Sequence, residues 1–76
     1  MTEALHYSMV LAWSDEDQAF IVTVPELPGC ITHGATYEEV VARGHEAITG
    51  FLEALRTWGD PVPPPRTYAD YTAVSA

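Results

Sequence analysis

Ala19-Phe20-Ile21-Val22-Thr23-Val24-Pro25-Glu26-Leu27-Pro28-Gly29-Cys30, followed shortly by Gly34-Ala35-Thr36-Tyr37-Glu38-Glu39, is the stretch on which the fold turns. Residues 20–24 are all β-branched or aromatic, chemistry that suits a half-buried pleated surface, so a strand is predicted there. Pro25, Pro28 and Gly29 then end it: proline lacks an N–H and fixes φ, glycine takes a positive φ, and together they set the angle at which the next strand enters. Leu27, between the prolines, is expected to plug the edge of the core, with a place on an interaction surface as the alternative. Cys30 reads as a small buried residue beside the turn. A third short strand, about Cys30 to Ala35, follows, its pattern diluted by His33 and Gly34.

Thr36-Tyr37-Glu38-Glu39 has the capping-box pattern, in which Thr36 accepts from the Glu39 amide and the Glu39 carboxylate reaches back to the Thr36 amide. A helix is predicted from about Thr36 to Trp58, roughly 34 Å at 1.5 Å per residue. Val40, Val41, Gly44, Ala47, Ile48, Phe51, Leu52, Leu55 and Trp58 recur at three- and four-residue steps and form the stripe that faces the sheet. Glu39, Arg43, Glu46 and Glu53 fall on the outer face, where the Glu39–Arg43 pair contributes ~0.3 kcal/mol. Gly59 and Pro61 stop the helix.

Upstream, His6 to Trp13 alternates, with Tyr7, Met9, Leu11 and Trp13 on one face, so a strand is predicted there too. Ser14-Asp15-Glu16-Asp17-Gln18 is a polar turn that makes the two strands an antiparallel hairpin. Downstream, Pro61-Val62-Pro63-Pro64-Pro65 is extended and stiff, and Thr67 to Val74 reads as a further edge strand or a loose tail. The division expected is therefore a domain over 1–60 and a Pro-rich segment with a tail over 61–76. The fold class is α+β: a three-stranded antiparallel sheet packed by one long helix, with a possible extra C-terminal strand.

Bulk composition sets the limits of function. Seventy-six residues support one thin core, with Trp13, Phe20, Phe51 and Trp58 available to it. Eleven acids against three arginines give a charge of −8, which repels phosphates and leaves no basic patch for nucleic acid. A basic protein is the easier match, and plain solubility is the other use of such a surface. A lone cysteine excludes an internal disulfide and points to the cytoplasm, and no long apolar run suggests a membrane span.

The order strand, acidic turn, strand, P-x-L-P-G-C, strand, G-x-T-x-E-E, helix with Glu46-Ala47-Ile48, then Gly59-Asp60-Pro61-Val62-Pro63-Pro64 resembles the HicB-like antitoxin family from about Tyr7 to Pro65. The structural motif residues are Pro25, Leu27, Pro28, Gly29, Cys30, Gly34, Thr36 and Glu39. The resemblance implies a partial RNase H-like fold and a partner, a small basic mRNA-cleaving toxin of the HicA kind. Many members carry a C-terminal DNA-binding domain. Only eleven residues follow Pro65 here, so promoter contact is not expected.

Chemistry-bearing clusters are few. Asp15, Glu16 and Asp17 lack the spaced ligands and glycine pivot of a calcium loop and suit an ordinary turn. The predicted strands hold no carboxylate, which removes a two-metal nuclease site. His6, His33 and His45 have no metal-ligand spacing, and Cys30 lacks a nucleophile's setting. No catalytic residue, metal or cofactor is expected, and the chain is not read as an enzyme. Partner contact is assigned to Asp15, Glu16, Asp17, Glu39, Glu46 and Glu53, which would steer a basic toxin. The open sheet edges lead to an expected homo-oligomer, a dimer or tetramer. The alternative is an orphan self-associating domain with no toxin.

Overall fold

The hairpin predicted from the Ser14–Gln18 turn is the frame on which the rest is built. A computed structural model describes residues 2–74. Strands β1 (Val10–Ser14), β2 (Ala19–Thr23) and β3 (Ile31–Gly34) form one antiparallel sheet in that order. The register pairs Trp13 with Phe20 and Val10 with Thr23, and then Phe20 with Gly34 and Thr23 with Ile31. Helix α1 (Tyr37–Trp58) lies across β2 and β3 on one face, which gives the β-β-β-α architecture expected.

Local chemistry explains the helix ends. Thr36 is the N-cap and its Oγ1 accepts from the Glu39 amide at 3.1 Å, as the capping box requires. The return arm differs by one residue: Glu39 Oε1 accepts from the Ala35 amide at 2.6 Å, not from Thr36. Glu39 Oε2 also holds Arg43 at 3.1 Å. At the far end Gly59 sits in the left-handed region at φ 75° and donates to Arg56 and Leu55 carbonyls.

Between β2 and β3 lies the Pro-Gly loop, with no regular element in it, as expected. Val24 N donates to the Cys30 carbonyl at 3.1 Å, Leu27 N to Val24 at 3.0 Å and Cys30 N to Leu27 at 2.9 Å, closing two turns back to back. Gly29 takes φ +91°, a region that L side chains rarely enter. These turns drive Leu27 inward, where it is fully buried with Tyr7, Val24, Cys30, Ile48 and Leu52. Burying a leucine is worth about 2 kcal/mol, so the plug is a principal contributor in so small a core.

Three expectations are corrected. The first strand does not begin at His6: Thr2–His6 is a 3-10 helix and β1 starts at Val10. Tyr7 and Met9 do point into the protein but lie outside the ladder, because the Ser8 amide is engaged by Glu26. Nor does Thr67–Val74 form a strand. Tyr68–Val74 is helix α2, started by a reciprocal cap in which Thr67 N donates to Asp70 Oδ2 at 2.8 Å and Asp70 N to Thr67 Oγ1 at 3.3 Å. That T-x-x-D signal is present in the sequence and outweighs the aromatic and β-branched content of the segment. Finally, neither tryptophan is a core residue: Trp13 is 48% exposed and Trp58 77%. Trp58 lies on the outer side of the last turn of α1, whose Leu55 still packs against the core, and Trp13 stands on β1, which α1 does not contact.

Candidate functional site

Carboxylates at the hairpin tip are organised by the turn itself. Asp15 Oδ1 accepts from Trp13 Nε1 at 2.8 Å, and Asp17 Oδ2 accepts from Ser14 Oγ at 2.9 Å. Gln18, at φ 53°, donates from Nε2 to the Asp15 carbonyl at 2.6 Å. All three acids, Asp15, Glu16 and Asp17, are exposed. The Phe20 ring meets Trp13 edge-on at 5.1 Å and stacks on Tyr37 at 4.4 Å, which sets the hairpin tip beside the N-terminus of α1.

On α1, Glu39, Glu46 and Glu53 are seven residues apart, so they form one acidic stripe running ~21 Å along the axis. Glu46 and Glu53 are exposed, whereas Glu39 is half-buried and engaged by Ala35 and Arg43. Thr32, Arg43, Glu46 and Ala47 line a shallow cleft between the helix and the β3 edge. The structure thus brings the turn acids and Glu39 to one end, while Glu53 lies toward the other. Among the described residues no three His, Cys, Asp or Glu side chains converge as a metal site, and no helix is long and apolar enough to cross a membrane.

The motif residues hold this arrangement in place. Gly34 lies against the first turn of α1: a Cβ there would stand 2.7 Å from Val40 N and 2.8 Å from Val40 Cα. Burial pushes the Cys30 thiol pKa up, which suits a packing residue and not a nucleophile.

Residues 7–75 match the family described as the HicB-like antitoxin of bacterial toxin–antitoxin systems. The chain belongs to the HicB-like antitoxin family. A UPF0150 protein of Thermoplasma acidophilum is 36% identical over 59 residues, covering 78% of this chain and 84% of that protein. A UPF0150 protein of Archaeoglobus fulgidus is 41% identical over 46 residues, covering 60% and 67%. No solved structure matches.

In this HicB-like chain the residue that sequence reasoning missed is Glu26. It is a buried carboxylate, 5% exposed, within the Pro-Gly loop. Its Oε2 accepts from Ser8 N at 3.0 Å, Ser8 Oγ at 2.8 Å and Arg66 N at 2.8 Å. Tyr71 donates to Ser8 Oγ at 2.9 Å, and Tyr7 donates to the Pro63 carbonyl. One carboxylate therefore joins the segment before β1, the loop and the Pro-rich tail. Burial alone would raise its pKa, but the hydrogen bonds from Arg66, from Ser8 and from its own amide together outweigh that and hold it below 4.5. The only hint in the sequence is a charge inside an otherwise apolar loop. Its partners stand 18 and 40 positions away, beyond the reach of any local pattern.

Proposed function

We propose that this chain is an antitoxin that binds and occludes a small basic ribonuclease toxin of the HicA type. It acts in the cytoplasm, without contacting nucleic acid itself and without catalysis, and it self-associates as a dimer or tetramer. Family membership across residues 7–75 carries the proposal. The charge supports it: a −8 surface draws in a cationic partner and turns away RNA. Asp15, Glu16 and Asp17 at the hairpin tip, with Glu39, Glu46 and Glu53 along α1, are the steering groups, and Pro25, Leu27, Pro28, Gly29, Cys30, Gly34 and Thr36 keep the frame that presents them.

The test is co-expression with a small basic HicA-type toxin, taken from the genes that flank this one where such a gene is found there. Relief of toxin-dependent growth arrest and a complex that weakens as salt rises are the expected results. Growth arrest that persists despite soluble expression of this chain, with no complex at low salt, refutes the reading.

A further inference from the structure

The sheet has a second face that α1 does not touch. Cross-strand pairing aligns Val10, Thr23 and Ile31 in one row and Ala12, Ile21 and His33 in the next, with Ser14 and Ala19 beyond. Side chains alternate along a strand, so these rows point away from Val22, which packs toward Gly44 of α1. Val10 is 54% exposed and Ile31 60%, and α1 is the only helix that packs on the sheet among the described residues.

Charge decides what can cover it. The chain carries eleven acids and three arginines, yet none stands in any of the three strands. A cationic partner steered by carboxylates finds none in these rows. A second copy faces the opposite problem: two −8 proteins repel wherever their acids meet, and they approach at least cost through a surface that has none. Apolar residues at 10, 12, 21 and 31 then supply the contact, and a two-fold axis makes the patch complementary to itself.

We propose that this uncharged outer sheet face is where two copies of the chain pack, face to face. The proposal rests on the self-association part of the function above and names its surface; it leaves the carboxylates free for the toxin. Three strands at ~4.8 Å spacing and about five residues long present roughly 240 Å² in projection, well under the ~800 Å² per partner of a standard interface. The dimer is accordingly weak, in the micromolar range.

Sedimentation velocity of the full chain from about 5 to 500 µM tests it, since a weak dimer dissociates on dilution. Raising salt from about 0.05 to 0.5 M should strengthen the dimer by screening like charges, the reverse of its effect on a toxin complex. Val10→Glu with Ile31→Glu should raise the dimer Kd by about tenfold or more, because the two-fold axis sets the new charges against each other. Ile31→Thr keeps a β-branched residue in the strand and should weaken the dimer less, with circular dichroism unchanged. A dimer that survives Val10→Glu/Ile31→Glu overturns the face while leaving self-association standing. A monomer at every concentration overturns both. Loss of toxin binding in the double variant would show that this face belongs to the toxin, and would also overturn the proposal.

Discussion

Carboxylates at the two ends of this molecule have opposite fates. At the hairpin tip, Asp15, Glu16 and Asp17 stay exposed, and the bonds that Asp15 and Asp17 make are local, two or three residues away along the turn. At the loop end, Glu26 is buried and its partners come from distant segments, Ser8 and Arg66. The same chemical group is thus a surface charge in one place and a tertiary fastener in the other. What separates them is the backbone: the tight Pro-Gly turns push Leu27 into the core, and Glu26 goes in beside it.

The contrast is breakable by substitution. The largest effect is expected from Leu27→Ala, which empties the plug and should cost about 2–5 kcal/mol in urea unfolding. Glu26→Gln follows at about 2 kcal/mol, because an amide puts an N–H among donors and loses the charge-assisted bonds. The pH dependence sharpens this point. The folded pKa of Glu26 is depressed, so its stabilisation is present above the unfolded value near 4.5 and is lost as the pH falls through the lower folded value. Denaturant midpoints measured across that window should fall for the native chain and lack this component in Glu26→Gln. If both follow the same curve, Glu26 is not the fastener described.

Gly34→Ala sets a methyl against the Val40 backbone and should cost about 1–3 kcal/mol. Thr36→Ala removes one cap and about 1 kcal/mol, read as a lower thermal midpoint. At the other end, Asp15→Asn, Glu16→Gln and Asp17→Asn together should leave stability within about 0.5 kcal/mol yet slow association with a basic toxin several-fold at low salt. A large loss of stability there would erase the distinction between the ends.

Much of the frame was legible because its signals are local. The Thr36 cap, the stripe through Val40, Ile48 and Leu52, and the turns around Pro25 and Gly29 each depend on residues within a few positions. The T-x-x-D cap of α2 was equally local but was masked by strand-forming residues around it. Trp13 and Trp58 misled because size and hydrophobicity do not say which strand the helix covers or which side of the helix faces the core.

Sequence by itself determined the β-β-β-α order, the Thr36 and Gly59 caps of α1, the turn chemistry and the sign of the surface, since all of these follow from residue type and short spacing. Tertiary structure alone decided that Glu26 is a buried fastener and that one sheet face stays bare. It also decided that the turn acids stand beside the start of α1. Each of these depends on segments far apart in the chain meeting in space, and no local pattern encodes such a meeting.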